Sequence, residues 1–87
     1  MRFRFLDVDD LLILAKLGKG LTVTEIAKIM NLCQPAVSRR MINIRYVCKD
    51  KIFIVRKHRP VLTRQGEKIC RSADELVSLL MSAFPYS

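Results

Sequence analysis

Residues 22–44, TVTEIAKIMNLCQPAVSRRMINI, leave a chain of this kind few folds to choose from. Thr22-Val23-Thr24-Glu25 has the spacing of a capping box. In it the threonine hydroxyl accepts from the N3 amide, and the N3 glutamate accepts from the amide of the cap. Ile26, Ala27 and Met30 follow on one helical face, and Asn31-Leu32-Cys33 interrupts them. Val37, Met41, Ile44 and Cys48 then resume an apolar stripe at spacings of four, three and four. Two short helices joined by so tight a turn cannot lie side by side, and they suit the crossed pair of a helix-turn-helix. Ala27 is small enough to let the two axes approach, and Leu32 closes the angle from within the turn. Asn31 is one of the few non-glycine types that tolerate left-handed backbone.

Around this pair the chain reads as mainly α with a small β-hairpin. Arg2 to Phe5 alternates charge and aromatic, as either a short edge strand or an arm would. Asp7 or Asp9 caps a first helix over 10–17, with acids at its positive end, Leu11, Leu14 and Leu17 on one face, and Gly18 and Gly20 at its end. Pro35 falls in the first turn of the third helix, 34–48 or 49, where its missing amide costs little. Past Asp50 the pattern turns β-branched and aromatic, with a strand over 51–56, a basic turn at 57–60 and a brief return strand at Val61-Leu62. A hairpin placed after a helix-turn-helix is a wing. Thr63 caps a last helix in which Ile69, Ala73, Leu76, Leu80 and Ala83 repeat at four, three, four and three, with Cys70, Val77 and Phe84 beside them. That apolar face is broad for a helix above so small a domain, so part of it is expected to meet a partner helix. The expected units are a winged helix-turn-helix over 1–62 and a linker or dimerisation helix over 63–84.

Charge narrows the partner. The 87 residues carry a formal +8, but residues 26–66 hold ten Lys or Arg against the single acid Asp50, a local +9. The acids collect instead at Asp7, Asp9 and Asp10 and at Asp74 and Glu75. One strongly positive surface favours a polyanion. No apolar run is long enough to span a membrane. The three cysteines, Cys33, Cys48 and Cys70, are odd in number, widely spaced and without a C-x-x-C pair, which predicts no metal site and a reducing, cytoplasmic setting. His58 has no serine or carboxylate tied to it by spacing, and no phosphate-binding glycine loop or carboxylate cluster occurs. No enzyme and no cofactor are therefore expected.

Gln34-Pro35-Ala36-Val37-Ser38-Arg39, followed at Leu62-Thr63-x-x-Gly66-Glu67, resembles the amino-terminal winged helix-turn-helix of LysR-type bacterial transcriptional regulators. The likeness runs from about Leu11 to Phe84, and the interval from Pro35 to Thr63 fits it, with Ile52-Phe53 where a Leu-Phe pair commonly starts the wing. A winged helix of another bacterial family, such as the molybdate-responsive type, fits Q-P-A-V-S-R less well. The resemblance implies that Q-P-A-V-S-R opens a recognition helix and that L-T-x-x-G-E begins a long helix by which two chains pair. Departures stand at Cys33, where a serine cap is usual, and at Arg45 and Tyr46, where acids are common. Lys49 replaces a glycine, and 53–60 lack the usual arginine-glycine wing. The family's effector-binding domain lies outside these residues, as expected of an excised DNA-binding piece or of a naturally short protein.

The expected function is sequence-specific binding of double-stranded DNA by a homodimeric regulator or its DNA-binding fragment. The alternative is a small interaction protein that pairs with a full-length LysR-type regulator and modulates it without binding DNA itself. With the stripe of the third helix buried, Gln34, Pro35, Ser38, Arg39, Ile42 and Arg45 point more or less outward. The first residues of a recognition helix reach base edges in the major groove. Gln34 suits adenine, Arg39 a guanine or a phosphate, Pro35 and Ala36 a thymine methyl, and Ser38 a base or a phosphate. Thr24, Arg40 and Arg45 are assigned to the DNA backbone, Arg45 alternatively to Asp50. Arg56, Lys57, His58 and Arg59 at the wing are assigned to backbone or minor groove. Ile69, Ala73, Leu76, Val77, Leu80, Ala83 and Phe84 are the dimerisation candidates.

Overall fold

The computed structural model describes residues 5–48, 52–56 and 59–84, without the side chains of Val55, Arg56 and Arg59. Helices α1 (Val8–Gly18), α2 (Val23–Met30) and α3 (Gln34–Cys48) precede an antiparallel hairpin of β1 (Phe53–Arg56) and β2 (Arg59–Leu62). Helix α4 (Arg64–Ala83) follows. This is a winged helix with a long carboxy-terminal helix, as the pattern predicts.

Local chemistry sets the boundaries. Asp7, not Asp9, caps α1: its carboxylate accepts from the Asp10 amide at 2.9 Å, and Asp10 accepts from the Asp7 amide at 3.1 Å. The helix therefore starts at Val8, two residues ahead of the expected start. At its far end Gly20 takes φ 84, a backbone state open to glycine at little cost. Thr22 and Glu25 form the capping box of α2 at 3.2 and 2.9 Å, and Asn31 ends that helix in left-handed backbone at φ 56. The turn is short because the Leu32 amide bonds back to the Ala27 carbonyl at 2.9 Å.

One core joins the helices. Ile13, Leu14 and Leu17 of α1 meet Ile26 and Ala27 of α2 and the whole stripe Val37, Met41, Ile44 and Cys48 of α3. From the other side come Ile52, Phe53, Cys70 and Ala73. Helix α1 packs chiefly on α4, and burial pushes the Cys70 thiol up to about 11. The hairpin pairs Phe53 with Leu62 and Ile54 with Val61, so Phe53 is buried while Ile54 and Val61 face out. Pro60 lies within β2 rather than before it. Ile52 precedes the strand, fully buried, and its carbonyl accepts from both the amide (3.0 Å) and the hydroxyl (3.2 Å) of Thr63. Thr63 in turn caps α4, accepting from the Gly66 amide at 3.0 Å. The wing and α4 are thus anchored at one point. Among the described residues no helix is long and apolar enough to cross a membrane.

Candidate nucleic-acid interface

Helix α3 divides its residues by angle. At 3.6 residues per turn, Pro35, Arg39, Ile42 and Tyr46 fall within about 60° of one another, diametrically opposite the buried stripe. All four are exposed, with Gln34 and Arg45 on one flank. Ala36 and Ser38 are half-buried, Ala36 toward the α1 side. Thr24, at the start of α2, is exposed as well. From Gln34 to Cys48 there is no acidic residue, so nothing on this face repels phosphate. Arg45 lies with its guanidinium 5.5 Å from the centre of the Phe53 ring, which draws α3 and the hairpin together. Asp50, the alternative partner of Arg45, lies outside the described residues. So do Lys57 and His58 at the wing tip, and for Arg56 and Arg59 only the backbone in β1 and β2 is described.

Arg40 is where the geometry departs from a free phosphate ligand. It sits on the flank of α3 that borders α1. Its Nη1 donates to both oxygens of Asp7 at 2.9 Å and to Asp10 at 3.2 Å, and its Nη2 lies 3.6 Å from Asp9. Asp10 is buried, and a buried carboxylate needs such partners. The guanidinium holds the Asp7 carboxyl below its ordinary value of 3.8, chiefly through their hydrogen bond. Asp7 at the head of α1 therefore both caps its own helix and ties down α3. Beside it the Asn43 side-chain amide donates to the Phe5 carbonyl at 3.5 Å.

Over 82 residues the chain is 32% identical to nodulation protein D of Azorhizobium caulinodans, a LysR-type regulator, an overlap covering 94% of this chain and 26% of that protein. The fold superposes on a probable transcriptional regulator of Pseudomonas aeruginosa with a TM-score of 0.82 at 21% identity, covering 93% of this chain and 27% of the other. HypT of Salmonella typhimurium, a hypochlorite-specific LysR-type transcriptional regulator, gives 0.76 at 23% identity, with coverage of 93% and 28%. The fold is the winged helix-turn-helix of LysR-type regulators. No family model matches the chain. It spans about a quarter of the length of these relatives.

Within this fold the expected pairing residues do not all stand alike. Ala73 is buried in the chain's own core, and Ile69 packs partly against it. Both are held there because the first half of α4 covers α1. Val77 is half-buried. Around it Leu76, Leu79, Leu80 and Met81 are about half exposed or more, and Ala83 and Phe84 are exposed too. Between α1 and α4 runs an apolar groove of about 520 Å³ lined by Leu6, Leu11, Leu14, Ile69, Ala73 and Leu76, with Gln65, Lys68 and Ser72 at its rim. Sequence reasoning missed the clamp of Asp7, Asp9 and Asp10 on Arg40. The signal available was angular: Arg40 lies only about 70° from the centre of the buried stripe, too close to the core to face outward freely.

The clamp makes a prediction about stability. Arg40→Ala should destabilise the domain by about 1–2 kcal/mol, with the exposed Asp7 contact discounted for solvent screening and most of the loss falling on Asp10. Because the Asp7 carboxyl is depressed in the folded state, its contribution is present above the unfolded value near 3.8 and is lost as pH falls through the lower folded value. Urea melts at pH 7 and along an acid series check both points: Arg40→Ala should lower the midpoint at pH 7 and flatten the acid decline. An unchanged midpoint at pH 7 would leave the clamp without energetic weight.

Proposed function

We propose that the chain binds double-stranded DNA in a sequence-specific way as a homodimer, the DNA-reading part of bacterial transcriptional regulation. The observation that carries the reading is the outer face of α3: exposed, free of acids, and set opposite the buried stripe in a LysR-type domain. The related proteins are named as regulators, one of them a probable transcriptional regulator and another a hypochlorite-specific one. Recognition helix 34–48 enters the major groove. There Gln34, Pro35, Ala36, Ser38 and Arg39 meet base edges, with Thr24 and Arg45 on phosphates. The wing, with Arg56, Lys57, His58 and Arg59, lies on backbone or minor groove. Arg40 serves the protein's own fold rather than the duplex. No bond is made or broken in this function, and it needs no cofactor.

Pairing runs through the second half of α4, where Leu76, Leu79, Leu80 and Met81 are exposed. The two recognition helices then reach major grooves roughly 34 Å apart. The same surface supports the second reading, a small partner of a full-length LysR-type regulator. Selection of duplexes from a random pool, with sedimentation of the same protein, separates the two. The first reading expects a two-fold symmetric duplex bound by a dimer, and the second expects no selected duplex. Leu76→Asp should give a folded monomer, since Leu76 is only half covered by its own chain and a charge in the seam has no partner. A wild type that is monomeric at tens of micromolar would remove the pairing surface from both readings.

A further inference from the structure

Ile42 and Tyr46 are among the more exposed large side chains of the described residues, 66% and 80% accessible. A single exposed isoleucine is ordinary. This one lies one turn beyond Ser38 and Arg39, on the exposed face about 130° around the helix from the stripe of Val37, Met41, Ile44 and Cys48, and Tyr46 continues the same line. Its helical neighbours are Ser38, Arg39, Arg45 and Tyr46, so the apolar spot is bordered by two cations on a helix without a carboxylate. A polyanion is the partner that this border fits. Phosphate offers an isoleucine nothing, and among the groups displayed on base edges in the major groove only the C5 methyl of thymine is apolar.

We infer that Ile42 is a specificity-determining residue of the recognition helix, one that receives a thymine methyl group. The inference rests on the DNA-binding reading above and extends it from the first turns of α3 to its middle. Pro35 and Ile42 are seven residues apart, about 10.5 Å along the helix, or roughly three base pairs if the helix lies along the groove. The thymine read by Ile42 is therefore a different one from any met by Pro35 or Ala36.

The test uses the full chain and the duplex that wild type selects from a random pool. Each thymine is replaced in turn by uracil, which removes only the methyl group. Wild type should lose about fourfold in affinity at one thymine per half-site beyond those sensitive to Pro35→Ala, the worth of one methyl group withdrawn from water. Ile42→Ala should bind thymine and uracil equally at that position and keep its preferences elsewhere, while Tyr46→Ala leaves the pattern unchanged. Helical circular dichroism should match wild type, since the replaced side chain is exposed. If Ile42→Ala keeps every thymine preference of wild type, the inference is overturned and the DNA-binding reading stands. If wild type selects no duplex, that reading fails and the inference goes with it.

Discussion

Raising salt from 50 to 200 mM should weaken duplex binding by about 10³ to 10⁵, the loss that accompanies six to ten phosphate contacts. The basis is the run of ten cations against one acid in residues 26–66. Arg40 is withdrawn from that count, since its guanidinium is occupied by Asp7 and Asp10. The acids that would oppose phosphate stand apart: Asp7, Asp9 and Asp10 at the head of α1, and Asp74 facing Lys19 at 3.4 Å. Titrating a labelled duplex at several salt concentrations measures the slope directly. Replacing Arg45 by alanine should lower it by about one contact per chain, whereas Arg40→Ala should leave it unchanged. A flat dependence for wild type would remove the polyanion as partner.

Gly66→Ala should cost about 3 kcal/mol, at the upper end of the range for overpacking a close contact. On an open helix the same change would stabilise, because alanine is favoured over glycine by roughly 1 kcal/mol, so even the sign is informative. A Cβ built on Gly66 would fall 1.8 Å from the Ile52 carbonyl oxygen and 2.7 Å from its carbon. Backbone cannot rotate aside as a side chain can. That carbonyl is also the acceptor for both the amide and the hydroxyl of Thr63. Relieving the clash means moving the start of β1, loosening the cap of α4, or both. Thermal melts should show a fall of roughly 12–24 °C for a domain of this size. An unchanged or raised melting temperature would mean that the wing and α4 are not held at this contact.

Much of the fold was legible because its signals are local. The Thr22–Glu25 capping box, the left-handed Asn31, the stripe of α3 and the Thr63 cap each depend on residues within four positions of one another. Each is found where the spacing places it. The choice between Asp7 and Asp9 was not legible, because both have the right spacing and only the Asp10 amide settles it. For the candidate interface, periodicity alone gives the outward set Gln34, Pro35, Ser38, Arg39, Ile42 and Arg45, and all but the half-buried Ser38 are exposed. Arg40 did not, since its partners are 30 and 33 residues away.

By itself the sequence determined the order of the elements, the stripe that α3 buries, and the concentration of positive charge in the middle of the chain. All three follow from residue type and short spacing, which act before any long-range contact exists. Tertiary structure alone decided that Gly66 is needed for the approach of Ile52, and that Arg40 binds carboxylates instead of remaining free. It also decided that α4 gives its first half to the core and leaves its second half exposed. Periodicity draws one continuous apolar face along α4, but α1 ends at Gly18 and can cover only the part that it reaches. Where a helix is covered depends on the length and position of its neighbour, which no local pattern contains.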